Sequence, residues 1–196
     1  MNKYVIVVVS LLLFSACREN ISVNVPELSD GDPTTCYTGA QGLNKIVFDT
    51  QCRKDYDGVS AKSGNPPVIS IEYSTQHIEK SANESLYKLD FETRGVLYHE
   101  LVHAYQFEPR GIGSYSTNKE FWACIEGMAD AVRAEAGFFD MNTRKPGGNW
   151  MDGYRTTGFF IQWLKTKDPD AIRKFHLTVR DLKVWSFDKA IKSVFG

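Results

Sequence analysis

The sequence predicts an α+β fold: a small mixed sheet packed on a helix that carries paired histidines, with a mostly helical C-terminal half. Three observations predict it. Strand-like runs are confined to Lys45–Phe48 and Val68–Tyr73, the second alternating Ile69, Ile71 and Tyr73 against Val68, Ser70 and Glu72. After Asn83 the apolar spacing is helical for most of the chain. The length, 196 residues, suits one core rather than two. A composition 42% hydrophobic, 13% aromatic and 24% charged belongs to a folded globular chain and not to a disordered one. Net charge −1 leaves no basic footprint for a phosphate backbone, so nucleic acid is excluded as the expected partner.

The elements follow in order. Lys3 precedes an eleven-residue run, Tyr4 to Phe14, too short to span a bilayer, which is the pattern of a secretory signal. It ends Phe14-Ser15-Ala16-Cys17, which resembles the lipobox of bacterial lipoproteins and makes Cys17 the expected lipidated N-terminus. Residues 1–16 are then a signal peptide, 17–35 a tether rich in Pro, Gly and small polar residues, and 36–196 the domain. The expected location is outside the cytoplasm, anchored by lipid to a bacterial membrane. Cys36 and Cys52 are the pair expected to bridge, and Cys124, in an apolar helical pattern, reads as a small buried hydrophobe.

Between the strands, Lys54–Pro67 reads as loop. Helices are expected over Thr93–Phe107, Asn118–Ala136, Gly153–Lys167, Pro169–Val179 and Phe187–Phe195. Thr117-x-x-Glu120 has the form of a capping box, Gly137 suits a C-terminal cap, and Asp168-Pro169 places an N-cap before proline at the first helical position.

The chemistry concentrates in His99-Glu100-Leu101-Val102-His103, which holds two of the four histidines of the chain. On a helix of 3.6 residues per turn, side chains at i and i+4 lie about 40° apart, so both imidazoles reach one ion. Glu100 points about 100° round from His99, out of ligand reach but able to hold a water as general base. The helix is otherwise apolar all round, and buried imidazoles and a buried carboxylate are costly without a partner such as Zn2+.

A catalytic zinc site wants a third protein ligand. The best source is Glu126-Gly127-Met128-Ala129-Asp130, where Glu126, Asp130 and Arg133 are the charged residues between Phe121 and Ala134. Glu126 is the expected ligand and Asp130 the partner of a ligating histidine, with the two roles exchangeable. His176, in the apolar run Phe175-His176-Leu177, is the alternative ligand.

These segments, Gly95 to His103 with Gln106, Glu126 to Asp130 with Val132, Arg133, Ala136 and Gly137, and Trp150-x-Asp152-Gly153-Tyr154-x-x-Thr157, together resemble the basic secretory protein family, zinc peptidases of plants and bacteria in the zincin class. The resemblance covers roughly Ile46 to the C-terminus. It implies a zincin-like fold, zinc held by His99, His103 and an acid of the Glu126–Asp130 segment, Glu100 as base, and a peptide or protein substrate. It also makes Val68–Tyr73 the candidate cleft edge for an extended peptide and places a tyrosine at Tyr154, where a phenol projecting from a helix start suits the developing oxyanion. Small residues at Thr157 and Gly158 are expected to let that helix approach the metal helix closely. Two other function classes fit the same residues: a non-catalytic, lipid-anchored protein that keeps the metal for stability or partner recognition, and a zinc hydrolase of non-peptide amides or esters.

Overall fold

The computed structural model describes residues 20–24, 45–51, 59–65, 68–139 and 143–196. Cys17, Cys36 and Cys52 lie outside them, and with them the signal, the lipid anchor and the bridge. The described chain is mixed α/β and divides into two compact units, one through Ala104 and one from Tyr105.

The first unit holds a four-stranded sheet of β1 (Asn20–Asn24), β2 (Lys45–Gln51), β3 (Ser60–Asn65) and β4 (Val68–Ser74), in the order β1-β2-β4-β3. β2 and β4 run parallel in the register Phe48↔Ile71, while β1 on β2 and β3 on β4 are antiparallel. The period-2 pattern of β4 is realised, with Ile69, Ile71 and Tyr73 at 4% exposure or less and Val68 at 41%. Two expectations are corrected. Lys54–Pro67 is not all loop, since β3 pairs Ser60↔Tyr73 through Asn65↔Val68. β4 is therefore an interior strand with both ladders filled, and among the described residues the edge on its side of the sheet is β3. β1 also lies inside the stretch expected to be a tether, where Ile21 and Val23 alternate with polar residues.

After β4, the Ser74 side chain accepts from His77 N at 3.4 Å and starts α1 (Thr75–Glu84), a helix absent from the sequence expectation. Ser85 is extended and serves both sides of the break. Its N–H bonds Ser81 O, and its Oγ accepts from Lys88 N at 3.0 Å at the start of α2 (Leu86–Tyr105). α2 thus begins seven residues before the expected Thr93, its first turns supported by the pairs Lys88–Glu92 at 2.7 Å and Asp90–Arg94 at 2.8 Å. From Thr93 on it is largely buried, through Val96, Leu97, His99, Glu100, Leu101 and Ala104, as an apolar wheel requires.

The second unit is helical: α3 (Lys119–Glu135), α4 (Tyr154–Leu164), α5 (Ala171–Asp181) and α6 (Phe187–Phe195). The capping box is corrected. Asn118 caps α3, its Oδ1 accepting from Phe121 N at 3.1 Å, whereas Thr117 closes a turn on Ser114 and Glu120 accepts Phe187 N at the start of α6. The C-terminus is as expected: Gly137 takes φ +84°, its N–H bonds Ala134 O, and Phe138 N bonds Arg133 O, the paired bonds of a Schellman motif. α5 starts two residues late, because Asp168 caps a turn instead, its Oδ1 taking Asp170 N and its carbonyl Ala171 N, both at 2.9 Å.

α3 and α4 cross in close contact. A Cβ on Gly127 would fall 2.2 Å from Thr157 Cγ2, and one on Gly158 would fall 2.9 Å from Asp130 Cβ, so both positions admit only glycine without movement. The close approach of Gly158 is thus to α3. Beyond it, Trp185, Phe187 and Phe175 form an aromatic core with Trp150 and Phe160, ring centroids 4.3–6.4 Å apart. Cys124 on α3 is buried as expected, and burial pushes its thiol up, leaving it unreactive.

Candidate metal centre

One helical turn of α2 presents His99, Glu100 and His103, and burial falls on the residues the chemistry needs. His99 is 8% and Glu100 3% exposed. The two Nε2 atoms stand 3.0 Å apart with the rings edge-on, centroids 4.6 Å apart. Two zinc–nitrogen bonds of about 2.0–2.1 Å at a tetrahedral angle put their nitrogens about 3.3 Å apart, so this spacing suits a shared ion. Among the described residues, ligand atoms of His99, His103 and Glu126 all lie within 4.8 Å of one another. Two imidazoles and a carboxylate could hold a metal ion, and among the described residues the carboxylate in this group is that of Glu126, with Asp130 outside it.

Glu126 and Asp130 are 4% and 3% exposed, so they form no solvated face. The Tyr115 hydroxyl donates to Glu126 Oε1 at 2.6 Å. Burial first, then this bond to Glu126, pushes the Tyr115 phenol far above its ordinary range and keeps it a donor. Glu100 has its own donor, since Ser60 Oγ on β3 bonds Glu100 Oε1 at 2.5 Å. Neither Ser60 nor Tyr115 is singled out by the sequence. Each acts on a residue far along the chain or from an irregular loop, and neither sits in a periodic pattern.

Tyr154 opens α4 as expected. Its φ of +38° is the one positive value at a non-glycine residue among those described, and such a backbone is held only where surroundings demand it. The surroundings are identifiable. Gly153, at φ +72°, lies so close to the Trp122 ring that a Cβ would overlap it, and Gly153 N donates to Thr157 Oγ1 at 2.9 Å while that hydroxyl donates to Trp150 O. The Tyr154 ring meets Trp122 edge-on at 5.6 Å, is 48% exposed, and lies near enough to Tyr115 to act on its phenol.

His176, the alternative ligand, has a structural role. Its Nε2 accepts Phe107 N at 2.9 Å, its ring stacks on Phe107 at 5.0 Å, and it is 2% exposed. It fixes the loop that follows α2.

No curated protein matches this chain, and neither does any solved structure. A family model does, over residues 18–196, which spans the paired histidines, Glu126 and Tyr154 alike. The chain belongs to that family, BSP, a peptidase of plants and bacteria.

Proposed function

We propose that this peptidase is zinc-dependent and zincin-like, with His99, His103 and Glu126 holding the metal and Glu100 as general base. The observation that carries the reading is the donor set of two imidazoles and one carboxylate with a second, buried carboxylate one residue from the first histidine. When bound, zinc polarises a scissile carbonyl and brings the pKa of water toward neutrality. Glu100 takes the proton of the attacking water and passes it to the leaving amide nitrogen. The substrate strand is assigned to the free edge of β3, where an extended peptide adds by backbone pairing. The support is that β3 closes the sheet among the described residues and its first residue bonds Glu100. The test is elemental analysis beside a peptide-library digest. Stoichiometric zinc is expected, with cleavage lost on chelation and regained on adding zinc; metal-free protein that gains no thermal stability from zinc would overturn the reading.

Tyr154 is assigned the hydrogen bond to the oxyanion, on the strength of its strained backbone and half-exposed phenol. Tyr154→Phe is expected to lower kcat by about 10² with KM and zinc content near the parent. An unchanged kcat, or a loss that tracks loss of folded protein, returns Tyr154 to a packing role against Trp122.

A further inference from the structure

We infer that Ser60 is the positioning residue for the general base. The inference rests on the peptidase reading above and names a residue that the sequence leaves in a loop. Ser60 Oγ donates to a carboxylate 40 residues away in the chain, at 2.5 Å, and the acceptor, Glu100, is 3% exposed. A buried carboxylate without donors is costly, and one donor on one oxygen also fixes the torsion of the group. With Oε1 held by Ser60, Oε2 is the oxygen turned to proton transfer.

The hydroxyl is itself fixed from outside α2. Ser60 pairs with Tyr73 of β4, and Ser74 N donates to Val59 O at 2.9 Å, so the backbone that carries Oγ is set by the sheet. The orientation of Glu100 is thereby tied to the strand proposed to receive the substrate. A base held by its own helix alone keeps several rotamers, whereas one tied to a neighbouring strand keeps the productive one. The Ser60 hydroxyl meets neither the reacting atoms nor the metal in this scheme and acts through Glu100.

The test uses the purified full chain loaded with zinc. Ser60→Ala is expected to lower kcat by about 10- to 100-fold, the worth of a hydrogen bond to a charged group, with KM within about twofold and zinc content unchanged. Ser60→Thr, which keeps the hydroxyl, is expected to recover most of the loss. Should Ser60→Ala not fold, Ser60→Cys keeps the volume with a weaker donor and is expected to move kcat the same way. On a Glu100→Gln background, Ser60→Ala is expected to cost nothing further, because the positioned base is already gone. An active parent whose kcat is unmoved by Ser60→Ala, or an equal loss on both backgrounds, overturns the role of Ser60 alone. A zinc-loaded parent that cleaves no peptide overturns the peptidase reading and this inference with it.

Discussion

Glu100→Gln is expected to reduce kcat by about 10³ while leaving zinc content and folding intact. Glutamine matches glutamate in size, and its amide oxygen still accepts the Ser60 hydroxyl that now bonds Oε1. What disappears is the capacity to take a proton, the one property that the hydrolytic scheme asks of this residue. Stability is expected to hold or rise, because a carboxylate only 3% exposed is replaced by a neutral group of the same shape. Three measurements on one preparation separate the readings: turnover, bound zinc and melting temperature. Turnover at the parent level would end the general-base assignment. A fall that comes with lost zinc would mean that Glu100 serves the metal site and not the proton.

What the sequence made legible follows the range of the interactions involved. The paired histidines were readable because i,i+4 geometry is local to one helix turn, and the same holds for the Schellman end at Gly137 and for α6. Glu126 and Asp130 were readable because charge in an otherwise apolar helix signals burial, and both are buried. β3 was not, because Ser-Ala-Lys-Ser-Gly-Asn has no β-branched or aromatic residue and becomes a strand only by pairing with β4. The first turns of α2 were missed for a related reason. Their apolar residues, Leu86, Tyr87, Leu89 and Phe91, spread over more than half of the helix circumference instead of one narrow face, and their start depends on Ser85, whose extended backbone ends one helix and whose side chain caps the next. Ser60 and Tyr115 show the limit most clearly. Their roles are side-chain contacts with particular carboxylates, and no local pattern encodes which distant carboxylate a hydroxyl will meet.

Glu126→Ala is expected to weaken zinc binding by about 10²–10³. Structural zinc sites with four ligands bind with roughly 10–16 kcal/mol, or about 2.5–4 kcal/mol per ligand, and 1.4 kcal/mol is tenfold. At a fixed zinc level where the parent is saturated, the variant therefore forfeits about 2.7–4.1 kcal/mol of zinc-linked stability. Two companion variants make the result specific. Asp130→Ala removes an equally buried acid on the same helix that lies outside the donor set, and is expected to keep far more of the affinity. If Asp130→Ala loses zinc and Glu126→Ala does not, the two acids exchange roles. Tyr115→Phe removes the hydroxyl that bonds Glu126 Oε1 and leaves the carboxylate in place, so a smaller loss, about 10-fold, is expected. Chelator competition on the three variants, read beside their melting temperatures without zinc, orders them. A graded series of Glu126→Ala, then Tyr115→Phe, then the parent means that the phenol holds the ligand and the ligand holds the metal. Equal losses across all three would instead mean that each variant disturbs the packing of α3, whose approach to α4 at Gly127 and Gly158 leaves it little room to adjust.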